Sequence, residues 1–369
     1  MLTDFYRGRR VLVTGHSGFK GGWLCCWLKE LGAQVCGYAL KPKTAPSLHA
    51  ALKVSSWLDG EYFEDIRDEK ALGQAFLSFK PELIFHLAAQ PLVKRSFAEP
   101  LITYETNVIG TLKVLLAARD TPSVRALVAI TSDKCYENDD SGRPIDEQQP
   151  MGGYDPYSSS KGCAELLLSS FRRSYLGDDG AFKLASARAG NVIGGGDWSE
   201  DRLVPDCVRA FESGEAVVLR HPKAQRPWQH VLEPLRGYLV LGQALLEGRE
   251  ECASGFNFGP PPQCQYSVGE LCDLLRECYG KGEIRKGESY EFHEAEALTL
   301  AIDKAAAVLG WYPYLEVRQA LQYTADWYRH FYADKVDMHA YTKEQIRAYT
   351  HRAAQQAPVK SAQGARAAD

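Results

Sequence analysis

Arg10-Val11-Leu12-Val13-Thr14-Gly15-His16-Ser17-Gly18-Phe19-Lys20-Gly21 is the stretch whose reading decides the fold. Its first five residues form the pattern of a short buried strand. After the glycines, Trp23, Leu24, Trp27, Leu28 and Leu31 recur at the spacing of an apolar helix. Gly32 is placed to end that helix, and Gln34 to Tyr38 reads as a second strand. Glycines at 15, 18 and 21, between a strand and a helix, permit a tight turn and a close backbone approach. The N-terminus of the helix then faces whatever anion lies on the turn, which is what the pyrophosphate of a dinucleotide needs.

One expected partner of that turn is absent. An acid near the end of the second strand normally takes the adenosine ribose hydroxyls of NAD. Here the segment is Ala39-Leu40-Lys41-Pro42-Lys43, whose lysines suit the extra phosphate of NADP as well as they suit a solvated loop. The strand end therefore leaves NAD and NADP both open.

Strands and helices go on alternating. Glu61 to Glu64 is a candidate strand, Asp68 to Phe79 a helix and Glu82 to Leu87 a strand that ends in the small pair Ala88-Ala89. A helix over Tyr104 to Ala118 carries an apolar stripe at Val108, Leu112 and Leu115. A fifth strand, Ala126 to Ile130, delivers Thr131-Ser132-Asp133-Lys134 at its carboxyl end, and a sixth covers Lys183 to Arg188. Repeated β-α units of this length predict an α/β fold, a Rossmann-type doubly wound parallel sheet with a smaller mixed α/β substrate domain towards the C-terminus. The expected division is 1–189 for the dinucleotide, with 229–260 returning to it, 190–350 for the substrate and a disordered tail over 351–369. Ligands of such sheets bind at the carboxyl ends of the strands, so Ser132, Asp133 and Lys134 are well placed for chemistry.

Tyr157 and Lys161 stand four residues apart, on one face if the segment is helical. Asp155 is a natural N-cap there, Pro156 suits the first helical position, and Ala164, Leu167, Phe171 and Tyr175 continue at helical spacing. A tyrosine near an ammonium group is drawn towards phenolate and becomes able to exchange protons. Further on, Gly190-Asn191-Val192-Ile193-Gly194-Gly195-Gly196-Asp197-Trp198 is too rich in glycine for a regular element and reads as a loop lining a site. Arg202 and Arg226 could grip a diphosphate, and Trp198 and Trp228 could stack a base or simply fill the core. Pro234 to Glu247 reads as a helix, Phe256 to Phe258 as extended, and two or three amphipathic helices follow Ser267.

Composition narrows the setting. The chain has 369 residues, a net charge of -4 with interspersed signs, 45% hydrophobic and 24% charged residues. This balance gives no ground for a nucleic-acid or membrane partner. No apolar run reaches membrane-spanning length, and Met1 to Arg10 lacks the apolar core of a secretory signal. The ten cysteines are scattered without any Cys-x-x-Cys pair, which suits free thiols in a cytoplasmic protein and predicts no metal centre.

Taken together, these stretches resemble the extended short-chain dehydrogenases/reductases that modify nucleotide sugars, and within them the branch of 4,6-dehydratases acting on CDP-glucose. The likeness rests on Val13 to Gly21, Phe85 to Pro91, Thr131 to Tyr136, Gly152 to Glu165, Arg188 to Trp198 and Arg226 to Pro234, and runs from about Phe5 to Tyr349. It implies a redox-neutral dehydration: oxidation at C4 with NAD, loss of water across C5 and C6, and return of hydride to C6. By this resemblance Tyr157 is the base at the 4-hydroxyl, Ser132 its hydrogen-bonding partner and Asp133 the acid at the C6 oxygen. Lys134 stands where related dehydratases carry a glutamate, and would serve C5 directly or through a held water. Lys161 would also bind the nicotinamide ribose. The same likeness maps Gly15, Ser17, Gly18, Phe19 and Gly21 to the pyrophosphate turn and Asp65 and Ile66 to the adenine edge. It maps Leu87, Ala88 and Ala89 to the nicotinamide side, Asn107 to the cofactor floor, and Asn191, Arg202, Leu203 and Arg226 to the substrate nucleotide. It further implies a homodimer, or a dimer-based oligomer, through the helices around Tyr104 to Ala118 and Tyr157 to Tyr175. A UDP-, GDP- or dTDP-sugar enzyme, a 4-epimerase and a non-catalytic dinucleotide-binding regulator are the alternatives. Asp133-Lys134 argues against the epimerase, and the presence of both Tyr157 and Lys161 argues against the regulator.

Overall fold

The computed structural model describes residues 2–138, 142–177, 180–219, 221–260, 265–287, 298–333 and 336–355. Seven strands pair in parallel in the spatial order Gly255–Asn257, Lys183–Arg188, Ala126–Ile130, Leu83–His86, Arg10–Thr14, Gln34–Tyr38, Gly60–Tyr62. Because alternate side chains of a strand face opposite ways, each central strand feeds two cores. Val11, Val13, Leu83 and Phe85 join Trp23, Trp27 and Tyr238 on one face. Leu12, Ile84 and Leu127 join Phe76, Leu115 and Phe171 on the other. Two buried faces explain why the strands read as near-continuous apolar runs.

The first strand lies between the second and the fourth, with Thr14 beside Tyr38 on one side and His86 on the other. The chain first winds outward and then returns across the starting strand. A crevice therefore opens at the carboxyl ends of Arg10–Thr14 and Leu83–His86, where the order reverses. The glycine turn and Leu87 to Ala89 lie at that point.

Local signals account for most helix ends. Asp68 caps Glu69–Phe79 by accepting from Lys70 N and Ala71 N, and Asp155 caps Pro156–Phe171 by accepting from Ser158 N. The helix expected to begin at Tyr104 begins at Pro100 instead, since proline is favoured in the first helical turn; it runs through wider turns over Glu105–Gly110 into Thr111–Arg119. Its buried sheet-facing stripe is Val114, Leu115 and Ala118, while Val108 and Leu112 are only half-buried.

The rest of the chain carries Leu203–Ser213 and three two-stranded pairs: Val192–Ile193 with Gln229–His230, Gln225–Pro227 with Gln265–Ser267, and Ala216–Leu219 with Glu283–Lys286. Beyond Ser267 there are four described helices, Val268–Tyr279, Asp303–Leu309, Val317–Tyr332 and Met338–Gln355, against the two or three expected. The last of them continues through Gln355, past the expected start of the tail, because Met338, Ile346 and Tyr349 bury an apolar stripe. Residues 356–369 lie outside the described part.

Candidate active site

The turn is built so that backbone meets backbone. Gly15 has φ +78°, and a Cβ there would lie 2.8 Å from Ala88 N and 2.9 Å from the Leu87 carbonyl carbon. A Cβ on Gly21 would lie 2.1 Å from the Gly15 oxygen. Gly18 caps Phe19–Glu30 with no side chain engaging the helix terminus, so backbone N–H groups of the first turn face the crevice. A groove floored by glycine, with open amides at one end, fits a dinucleotide pyrophosphate. Ser17 Oγ donates to the Leu40 carbonyl at 2.7 Å and fixes the outer rim.

The remaining cofactor candidates divide by what they can offer. Leu87, Ala88 and Ala89 are half-buried at the strand end. Ala88 N is held by Thr14 Oγ1, which in turn meets His86 Nδ1 at 2.7 Å. Asp65 is gripped by Arg67, whose Nη1 also reaches Glu105. Ile66 is buried against Gly110, so only its backbone is available. Asn107 acts as a clamp: Oδ1 accepts from Gln90 N at 2.8 Å, and Nδ2 donates to Gln90 O and to Ser160 Oγ. It ties the loop after the fourth strand to the helix that carries Tyr157.

Ser132, Asp133 and Tyr157 come together in the crevice. Ser132 Oγ donates to Asp133 Oδ1 at 2.9 Å, and Lys134 N is shared between Ser132 Oγ and Asp133 Oδ1. Asp133 is buried, and a Cβ on Gly190 would overlap its carboxylate, so that glycine of the long loop does line the site. Tyr157 is buried, and burial pushes its phenol above the ordinary tyrosine range; the Ser132 hydroxyl and Arg202 work against this, while Asp133 adds to it. Lys161 stands one turn beyond Tyr157 on the same helix, with Nζ 3.4 Å from the Ile130 carbonyl. Burial lowers its ammonium to about 8, with Cys135 and Glu165 opposing. Lys134 has its backbone fixed and its side chain exposed.

Sequence reasoning passed over Lys20. Burial lowers its ammonium to about 8, Arg202 and Lys161 lower it further, and Asp133 and Asp197 oppose them. Lys20 therefore shares one field with the cations Lys161 and Arg202 and the carboxylates Asp133 and Asp197. The signal was a lone lysine among the glycines of the turn. Glu165 was also overlooked, although it stands four residues beyond Lys161. It accepts from Thr131 Oγ1, Ser186 Oγ at 2.8 Å and Arg188 Nη2 at 2.7 Å, and Arg188 Nη1 continues to the Tyr136 hydroxyl. Burial alone would raise the Glu165 carboxyl, but Arg188 holds it below the usual range. This buried pair anchors Thr131 and Tyr136 on either side of the Ser-Asp-Lys turn.

Of the nucleotide candidates, Arg202 faces the site and lies 3.8 Å from Asp197 Oδ2. Leu203 starts the helix beside it, and Asn191 takes φ +49° where its carbonyl accepts from Gln229 N. Arg226 sits on the Gln225–Pro227 strand with Nη1 on the Gln225 carbonyl. Of the two readings for the tryptophan rings, packing supports the core. Trp198 packs against Trp327, Tyr328 and Phe331, and Trp228 is buried, so both serve the core.

With a glycine turn at the switch point, a tyrosine-lysine helix and a polar strand end in one crevice, the architecture is that of a nucleotide-sugar-modifying dehydrogenase fold. The chain belongs to the NAD dependent epimerase/dehydratase family, whose model matches residues 11–252. The family's cofactor, NAD, settles the choice that Lys41 and Lys43 had left open. The chain is 45% identical over 332 residues, 88% of its own length and 92% of the other, to the CDP-glucose 4,6-dehydratase of Salmonella typhimurium. Among solved structures it is similar to the UDP-glucose 4-epimerase of Thermotoga maritima with UDP-glucose, with TM-score 0.74 and 25% identity over 87% of this chain and 98% of that one. It is also similar to the dTDP-glucose 4,6-dehydratase of Streptomyces venezuelae solved with NAD, with TM-score 0.72 and 25% identity over 87% and 97% of the two chains. No described helix is long and apolar enough to cross a membrane, and all described cysteines are free thiols.

Proposed function

We propose that this protein is an NAD-dependent CDP-glucose 4,6-dehydratase, forming CDP-4-keto-6-deoxyglucose and water. The observation that carries the reading is the Ser132-Asp133-Lys134 turn at the end of Ala126–Ile130, hydrogen-bonded together in the crevice that holds Tyr157. Removing water from a hexose needs an acid at the C6 oxygen and a base at C5 in addition to the group that serves the 4-hydroxyl. The relative named above supplies the base of the nucleotide, cytosine.

NAD bound on the turn at Gly15, Ser17, Gly18, Phe19 and Gly21 supplies the hydride acceptor for C4 and the donor for C6. Tyr157 takes the proton of the 4-hydroxyl, with Ser132 orienting that oxygen. The resulting 4-ketone acidifies the C5 hydrogen, which Lys134 receives, directly or through a water that it holds. Asp133 delivers a proton to the departing C6 hydroxyl. Lys161 holds the nicotinamide ribose, and Arg202 with Arg226 takes the diphosphate as paired forks. In this division 1–189 with 229–260 carries the dinucleotide and 190–350 the nucleotide sugar.

Phe97, Leu101, Ile109 and Leu166, 61%, 70%, 47% and 60% exposed on neighbouring helices, support a homodimer through that face. Leu166→Glu is expected to yield a monomer in sedimentation. Free thiols at all described cysteines support a cytoplasmic location.

The test is incubation with CDP-, UDP-, GDP- and dTDP-glucose in deuterated solvent, reading the alkali-induced absorbance of a 4-keto sugar and the label in the product. Turnover confined to CDP-glucose, with deuterium at C5, is expected. Turnover of another nucleotide sugar, or a C5 without label, overturns the reading.

A further inference from the structure

Outside the crevice, three side chains with metal-binding atoms converge behind the glycine turn. His16 Nε2 and His49 Nε2 both point at one oxygen of Glu61, Oε1, at 2.8 and 2.7 Å. The ligand atoms of the three residues lie within 4.8 Å of one another. They come from separate elements: the turn itself, the Leu48–Ala51 helix, and the edge strand Gly60–Tyr62. Ser55 Oγ donates to the other Glu61 oxygen at 2.5 Å and fixes the carboxylate plane. Phe63 packs against both imidazoles, with ring centroids 5.7 and 5.5 Å away.

One nitrogen of this cluster is left without a partner in the absence of a cation. An imidazole that donates from Nε2 keeps a bare lone pair on Nδ1. The His16 ring is fully buried and its Nδ1 has no hydrogen-bond partner. The Tyr38 carbonyl beside the turn accepts from Gly15 N at 2.8 Å. With Nε2 directed at Glu61, the buried Nδ1 of His16 is left as a polar atom without a partner.

We propose that His16, His49 and Glu61 form a binding site for a transition-metal dication of the zinc class, with solvent as the fourth ligand. Two imidazoles and a carboxylate are a donor set for such ions. The cation takes the place of the Nε2 protons, and Nδ1–H of His16 becomes a donor to the Tyr38 carbonyl, the usual outer partner of a ligating histidine. Tetrahedral zinc sets its ligand atoms about 3.3 Å apart, so the two histidine–carboxylate spacings of 2.8 and 2.7 Å need to open by about half an ångström. His49 and Glu61 retain 12% and 14% side-chain exposure, which gives the ion a route in and the water a place. Occupied, the site joins the cofactor turn to the sheet edge.

The experiment uses the full chain, stripped with a chelator and titrated with Co2+. One equivalent is expected, with the visible absorption of four-coordinate cobalt bound by nitrogen and oxygen, displaced by Zn2+. His49→Ala and Glu61→Gln are each expected to weaken binding by about tenfold or more. Glu61→Gln keeps acceptor capacity in the cluster, and circular dichroism checks that both variants fold. Absence of the band, thiolate charge-transfer absorption, or unchanged affinity in both variants overturns the proposal. Because the readout needs no nucleotide sugar, it stands or falls apart from the dehydratase reading.

Discussion

Gly15 and Gly21 stand where backbone meets backbone, whereas Gly194, Gly195 and Gly196 stand where backbone meets side chains. A Cβ on Gly15 would strike Leu87 and Ala88, and one on Gly21 would strike the Gly15 carbonyl. On Gly195 it would lie 2.1 Å from the Trp327 ring, on Gly196 2.3 Å from Leu48, and on Gly194 3.0 Å from the Phe19 ring. The first group leaves amides open to a ligand, and the second closes the molecule around an aromatic cluster of Trp198, Trp327, Tyr328 and Phe331. Glycine in a sequence marks close approach; it does not say what approaches. Gly190 also meets a side chain, but that side chain is the Asp133 carboxylate, so this glycine borders the site rather than the aromatic cluster.

If chemistry is confined to the strand ends, Tyr157→Phe carries the largest effect: kcat lower by about 10²–10⁴-fold, with an unchanged melting temperature. A normal rate would remove Tyr157 from the reaction. Arg188→Met strikes the support beneath the Ser-Asp-Lys turn. It leaves Glu165 buried without its counter-charge, so stability is expected to fall by about 3–5 kcal/mol in denaturant titration, with kcat falling as well. Loss of neither would mean that the pair is dispensable.

The glycine pair sharpens the contrast directly. Gly195→Ala should cost about 1–3 kcal/mol of stability by overpacking and leave the affinity for NAD intact. Gly15→Ala should weaken NAD binding by about tenfold or more, because an L side chain at positive φ costs about 1–2 kcal/mol before the clash with Ala88 is counted. Fluorescence titration with NAD separates the two; equal effects of both substitutions on affinity would erase the distinction.

The smallest effect lies in the first turn of the Leu232–Leu246 helix. Glu233 accepts from Tyr314 N and Leu315 N and meets the Tyr349 hydroxyl, yet burial raises its carboxyl to about 7. The folded chain keeps a proton there that the unfolded chain would release. Its contribution is therefore complete below the ordinary carboxylate range and lost as pH rises through about 7. Glu233→Gln mimics the protonated form, so its melting temperature should gain on the parent's between about pH 5 and pH 8. Parallel melting curves would show that Glu233 ionises without cost.

Local chemistry was legible wherever neighbours in sequence are neighbours in space. The strand over Arg10–Thr14, the Asp155 cap with Pro156 behind it, and the turn of glycines all follow from periodicity and backbone restriction within a dozen residues. Ser132 and Asp133 were legible through a single further rule, that open sheets bind ligands at strand ends. The direction of Lys161, the core role of Trp198 and the share of Lys20 in the site were not. Each depends on an element that the chain reaches only much later or earlier: the Ile130 carbonyl, the Val317–Tyr332 helix, and Arg202.

By itself the sequence determined a doubly wound sheet with a dinucleotide turn and the residue types for a dehydration, because strand period, caps and glycine freedom act over short range. The tertiary structure alone decided which charges share a field, which rings fill the core, and that His16, His49 and Glu61 meet. Burial, Coulombic interaction and packing depend on distance in space, which chain separation does not encode.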